Sequence, residues 1–273
     1  MLRRPLVWQA VLLGFAVGCG ETFRPATSSG KNTPAASTMA VSEEQPDLKA
    51  VPAAEAPFGG TAARAKDVFA SIIKAAEVGD AEAWTKAEGE LHKFGLAAVP
   101  ALAERLSDTN NVARELAAMF LAQLGPDASP AADGLLKLLD DESTFARVNA
   151  AAALSTFEGH AERVAPVLIE LLADDDVNVR ITAATSLRNV GPSGAEAVGA
   201  LSRSLQDADS RVRAAAAITL GELGKLASSS LATLRRLDDD EDEQVRTAAT
   251  RAIQRIDETA RTAPVTIPAS ATE

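Results

Sequence analysis

Tyrosine is absent from this 273-residue chain, cysteine occurs once and histidine twice. The side chains that most often serve as nucleophiles and proton shuttles are therefore nearly missing. A disulfide within one chain is excluded, because Cys19 has no second cysteine to meet. His92 and His160 share no pattern and are followed by Lys93 and Ala161, so the paired His-Glu motif of a di-iron site is lacking. No G-x-S-x-G, P-loop or CxxC motif occurs. Basic charge is also short: the formal net charge of −11 leaves no phosphate-binding surface, which argues against nucleic acid. After residue 20 no apolar run is long enough to span a bilayer. These absences together predict no catalytic residue, no cofactor and no metal site. Aromatic residues make up only 4% of a chain that is 47% hydrophobic, so the core must be built from alanine, leucine and valine.

Those residues recur with a fixed period. Arg114, Arg147, Arg180, Arg213 and Arg246 are each 33 positions apart. Three places after each stands Ala117, Ala150, Ala183, Ala216 or Ala249, and seven places after stands Leu121, Leu154, Leu187, Leu220 or Ile253. At helical spacing these lie on the face that carries the arginine, where an unpaired cation would be costly. Six places before each arginine stands Asp108, Asp141, Asp174, Asp207 or Asp240, read as its counter-ion. Two places further on come Asn110, Ser143, Asp176, Asp209 and Asp242, all suited to cap the first turn of a helix. A turn signal follows each first helix in most units, and then a second apolar stripe through Leu135, Leu168, Leu201 and Leu234. Each unit is thus a helical hairpin that cannot bury its own apolar face. Stacked copies sharing one elongated core, an all-α solenoid, are expected.

A period of 33 also suits ankyrin and tetratricopeptide repeats, but the Thr-Pro-Leu-His turn of the first is absent and the second needs tyrosines. The stretch "LLADDDVNVRITAATSLRNVG" resembles the HEAT-like repeat of the phycobilisome-lyase type, in which Leu, Asp, Val-Arg, an alanine pair, Leu and Gly recur. The resemblance covers about residues 91–256 and implies a right-handed α-solenoid of about five to six hairpins. It also implies that Asp108/Arg114, Asp141/Arg147, Asp174/Arg180, Asp207/Arg213 and Asp240/Arg246 form a ladder from repeat to repeat. The pattern departs at Trp84, which takes the arginine place of a shorter first repeat, and at Glu158 and Asp257, where glycine is usual. Upstream, Val68, Phe69, Ile72, Ile73 and Ala76 fall at helical spacing and predict an outer helix that covers the first repeat.

The first twenty residues read differently. Two arginines precede an apolar run too short for a comfortable membrane span, and "AVGC" ending at Cys19 resembles a bacterial lipobox. The expectation is a lipoprotein signal peptide over 1–18 and a lipidated Cys19 that anchors the exported chain to the membrane, with the periplasmic face or outer membrane favoured. Residues 19–60, rich in Pro, Ala, Ser, Thr and Gly, then form a tether. About 40 such residues give a typical reach of roughly 35 Å. The solenoid occupies 61–257 and a flexible tail 258–273.

With chemistry excluded, a surface remains. The resemblance places the arginine-bearing helices on the concave side, where Asn149, Thr156, Thr182, Thr185 and Asn189 stand at outward positions with Leu116, Met119 and Ile218 as apolar contacts. Such a groove would take a protein or peptide partner, making the chain a membrane-tethered scaffold or assembly factor at the bacterial cell envelope. The other reading that the resemblance opens is a chromophore-handling module related to bilin lyases. The acidic turns, "DDDEDEQ" above all, use their carboxylates for caps and lack the spacing of a calcium loop.

Overall fold

The computed structural model describes residues 58–262; Cys19, the expected signal peptide and nearly all of the expected tether lie outside the described residues. Every regular element there is helical. Helix α1 (Phe58–Val78) precedes five hairpins: α2 (Ala81–His92) with α3 (Val99–Arg105), α4 (Asn111–Leu124) with α5 (Ala132–Leu138), α6 (Thr144–Ser155) with α7 (Ala161–Leu171), α8 (Val177–Ser186) with α9 (Val198–Ser204), and α10 (Ser210–Leu223) with α11 (Leu231–Arg235). The stack ends in α12 (Glu243–Thr262), which carries on past the boundary expected at 257.

Each first helix starts where its cap residue stands. Asn110 accepts from the Val112 amide at 2.9 Å, Asp176 from Asn178 at 2.8 Å, Asp209 from Arg211 at 2.9 Å and Asp242 from Gln244 at 2.8 Å. Ser143 does the same for Ala146 with a longer bond of 3.4 Å. At the far end the chain must turn through a backbone conformation open to glycine, and Gly125, Gly191 and Gly224 adopt φ of 66°, 56° and 56°. A tight 3-10 segment then leads into the second helix, as over Gly125–Ala131 and Gly224–Ser230. In the α6/α7 hairpin Glu158 occupies that glycine place, the left-handed turn passes to Gly159 at φ 82°, and residues 156–160 join the helices without a 3-10 segment.

The core runs the length of the stack. Ala117, Ala150, Ala183, Ala216 and Ala249 are wholly buried, as are Leu135, Leu168, Leu201 and Leu234 on the second helices. Each such leucine contributes about 1.5–3 kcal/mol through burial. Alanine lets α4, α6, α8, α10 and α12 pack directly on one another in chain order, whereas successive second helices scarcely touch one another and meet instead the first helix or the joint of the following unit. The first helices therefore form the more closely spaced layer, which is the inner side of the curve. Closest of all is the approach of α10 to α12, where a Cβ on Gly221 would lie 2.8 Å from the Ala252 Cα.

The ends are closed differently. Helix α1 buries Ala65, Phe69, Ile72 and Ala76 over the first hairpin, in the covering role expected of it. Trp84, at the arginine place, is buried and stacks on Phe120 with ring centroids 6.3 Å apart, while Phe69 meets the same ring edge-on at 6.1 Å. Aromatic rings thus replace the charged ladder at this end. At the other end α12 turns polar residues such as Thr250 and Gln254 outward.

Candidate functional site

Two surfaces follow from this architecture: the edge that carries the arginines and the inner face of the first helices.

At the edge, each arginine sits between two turns. Arg114 gives Nη1 to the backbone carbonyls of Asp108 and Thr109, at 2.9 and 3.3 Å, and sets Nε and Nη2 against the carboxylate of Asp141 at 2.7 and 3.0 Å. Arg180 repeats this with the carbonyls of Asp174 and Asp175 and the carboxylate of Asp207 (2.8 and 3.0 Å). Arg213 repeats it with the carbonyls of Asp207 and Ala208 and the carboxylate of Asp240 (both 2.8 Å). The counter-ion is therefore the aspartate of the following unit, 27 residues on, and not the one six residues before, which offers its carbonyl. The reason is geometric: an arginine at the start of a first helix and the aspartate after its second helix lie at the same end of one hairpin, so the bidentate pair closes that hairpin. The aspartate six residues before is directed into its own turn. Asp141, for example, accepts from the Ser143 amide at 2.8 Å, and Asp108 accepts from Asn110 and from Arg105.

The pairs are sheltered, with Arg213 and Asp240 side chains 9% and 8% exposed. Arg213 holds the Asp240 carboxyl below the ordinary carboxylate range against the cost of burial, and the Asp242 amide adds to this. At Asp141 burial opposes the charged form, but Arg114 and the Ser143 amide outweigh it and the carboxyl again ends low. Arg114, Arg180 and Arg213 are correspondingly raised, chiefly by their hydrogen bonds to these aspartates.

One pair is missing. Arg147 keeps its bond to the Asp141 carbonyl at 3.0 Å, yet no ion pair joins it to Asp174, whose carboxylate, among the described residues, accepts from the Asp176 amide alone. This is the hairpin whose joint lacks the 3-10 segment. Arg246, on the last described helix, bonds the carbonyls of Asp240 and Glu241 and makes no ion pair among the described residues.

On the inner face, the structure separates the five polar residues expected to meet a partner. Asn149 and Thr182 are not outward: they are 5% and 8% exposed. Two places after the arginine is a direction toward the preceding unit, and Asn149 Nδ2 donates to the Glu115 carbonyl at 3.1 Å. Asn189 is exposed, but its Nδ2 also reaches back to Ser155 Oγ at 3.1 Å. Thr156 and Thr185 are half-buried and turn their hydroxyls to carbonyls of their own helices. Leu116 and Met119, expected as apolar contacts, are buried; Ile218 is 48% exposed. Thr219, which the sequence reading passed over, donates to the Ala184 carbonyl at 2.8 Å and joins two units in the manner of Asn149. Its place six residues after the arginine, facing the preceding helix, is the sign that could have revealed it. Among the described residues no group of three or more His, Cys, Asp or Glu is arranged to hold a metal, and no helix is long and apolar enough to cross a membrane.

A stack of alanine-rich helical hairpins with a polar edge and an open inner face, carrying no cluster of reactive groups, defines an α-solenoid of the repeat-protein class. The chain belongs to the HEAT-repeat family, whose model matches residues 99–188 and 165–254. Among solved structures it is similar to an engineered protein at 22% identity, with 75% of this chain and 93% of that chain covered and a TM-score of 0.51. It is also similar to a chain of the CpcE–CpcF complex of phycocyanin lyase from Nostoc sp. PCC7120, at 28% identity, 57% and 98% coverage and a TM-score of 0.43. Comparison with curated proteins gives no match.

Proposed function

We propose that the protein is a scaffold or assembly factor that binds a protein or peptide on the inner face of the solenoid, by recognition and not by catalysis. The observation that carries this is the inner face of α8 and α10, where Thr185 and Ile181 are half-buried and Ile218 stands open, on a frame stiffened by buried ion pairs. A rigid frame presenting a partly apolar strip keeps the entropy lost on binding small. The site is centred on Thr185, Asn189 and Ile218, with Thr156 toward one end. Asn149 and Thr182, being part of the packing between units, have no share in it.

The same reading places the protein at the bacterial cell envelope. Lipid on Cys19 anchors the exported chain, and the tether over 19–60 holds the solenoid off the membrane; support for this comes from the sequence of the first sixty residues. At roughly 0.8 kcal/mol per buried methylene, two acyl chains suffice for stable anchoring. Photo-crosslinking in cells from Thr185, Asn189 and Ile218, with the outward Glu170 as control, tests the inner face. One protein captured from the three inner positions and not from Glu170 is the expected result, whereas equal capture from all four removes the inner face as the working surface. Labelled palmitate entering the wild-type chain and not Cys19→Ser tests the anchor.

A further inference from the structure

We infer that the partner segment carries apolar side chains followed by an acidic one, and that it lies across α8, α10 and α12. This rests on the inner face being the binding surface. Helical phase puts Ile181 and Ile218 on that face, one and five places after their arginines, and the same positions on α12 are Thr247 and Arg251. The strip therefore passes from apolar to basic toward the end of the stack.

The charges around it are unlike those of the rest of the chain. Arg188, Lys225, Arg251 and Arg255 are all exposed on or beside this face. Against them stand Glu222, which bridges Arg188 at 4.0 Å and Arg255 at 3.4 Å, and Glu258 further along α12. Arg251 and Lys225 make no ion pair among the described residues. In a protein of net charge −11, the acidic residues are gathered in the turns at the other edge, where Asp238 to Glu243 run without a base. Charge is thus sorted: the edge repels an acidic segment and the end of the inner face attracts it. A partner complementary to this face sets an aliphatic side chain against Ile181 and Ile218, and two or three residues on a carboxylate against Arg251. Packed helices lie about 8–10 Å apart, which an extended strand covers in about three residues at about 3.3 Å each.

The test is selection of a displayed random library of 12-residue peptides on the full chain held in detergent micelles. Enriched peptides should combine Asp or Glu with Leu, Ile or Val. Their binding should fall roughly ten-fold or more in Arg251→Glu and in Ile218→Asp, in keeping with loss of one charge-assisted contact or one buried side chain, and should weaken as salt rises. Both substituted residues are exposed, and unchanged melting temperatures verify that the variants fold. Peptides that are basic or uncharged yet still lost in Ile218→Asp would overturn the acidic chemistry and leave the inner face as the binding surface. No enrichment, or binding that neither substitution alters, would overturn both. Binding of a single-stranded oligonucleotide that is abolished by Arg251→Glu would replace the acidic peptide with a nucleic acid.

Discussion

The hairpin α6/α7 and its neighbour α10/α11 carry the same ladder residues at the same spacing, yet only one of them closes its ion pair. Arg213 and Asp240 meet at 2.8 Å in a sheltered pocket, while Arg147 and Asp174 do not meet at all. What differs is the joint: a 3-10 segment from Gly224 in the first case, an open turn through Glu158 and Gly159 in the second. The charged residues of a repeat therefore supply the capacity for a pair, and that capacity goes unused in the hairpin whose joint differs. Two bonds compensate near the open hairpin, Asn149 to the unit before and Asn189 from the unit after.

The largest effects should separate these two hairpins. Arg213→Ala leaves the buried Asp240 carboxylate without its partner and should cost on the order of 3–5 kcal/mol. Arg147→Ala removes one bond to a carbonyl and no ion pair, and should cost about 1 kcal/mol. Chemical denaturation of the two variants decides the matter, and equal losses would mean that the arginines act through packing alone. Arg180→Ala belongs with Arg213, since it strands Asp207. Acid sharpens the same contrast. Because Arg213 and Arg114 hold Asp240 and Asp141 below their ordinary range, these carboxyls favour the folded state above the unfolded-state value of about 3.9. That stability is lost as pH falls from about 4 through the lower folded-state values. Asp240→Asn should therefore show a shallower decline of melting temperature with acid than the wild type, and an unchanged slope would remove the ion pair as its cause.

Next in size is the contact that holds α10 to α12. Gly221→Ala places a methyl 2.8 Å from the Ala252 backbone and must push the helices apart, costing about 1–3 kcal/mol by overpacking. The same change at Gly199, whose added Cβ would meet nothing within 4 Å, should be neutral or slightly stabilising. Measured by thermal unfolding, the pair tests whether the tight inner layer depends on residue size.

Much of this fold could be read from residues whose role is repeated. Five arginines, alanines and capping residues at a period of 33 predict helices, caps and core, and Asp209 and Leu201 stand where that pattern puts them. The identity of each arginine's counter-ion could not be read, because an aspartate six residues before and one 27 residues after recur with equal regularity, and only the folded hairpin shows which end of it they share. The inner face was harder. An outward position in one helix becomes an interface position once the preceding unit packs against it, so Asn149 and Thr182 pass from candidate contacts to structural ones. Ile218, at a position filled by Met119, Ala152, Thr185 and Arg251 in the other units, remains open.

The smallest effect tests that last distinction. Asn149→Ala removes a buried donor and leaves the Glu115 carbonyl short of one partner, so about 1 kcal/mol of stability should go. The outward Glu170→Ala should stay within about 0.5 kcal/mol of the wild type. Asn189 lies between them: its amide bonds Ser155 across the open hairpin, but it is exposed, so water can take over the bond when the side chain is cut back. Asn189→Ala should then cost a few tenths of a kcal/mol in isolation. Combined with Arg147→Ala the two costs should simply add, because Arg147 bonds the Asp141 carbonyl at the start of α6 and Asn189 meets Ser155 at its far end, about 12 Å along the helix. A loss well beyond the sum in that double variant would show that the two ends of α6 are coupled through the helix and its packing.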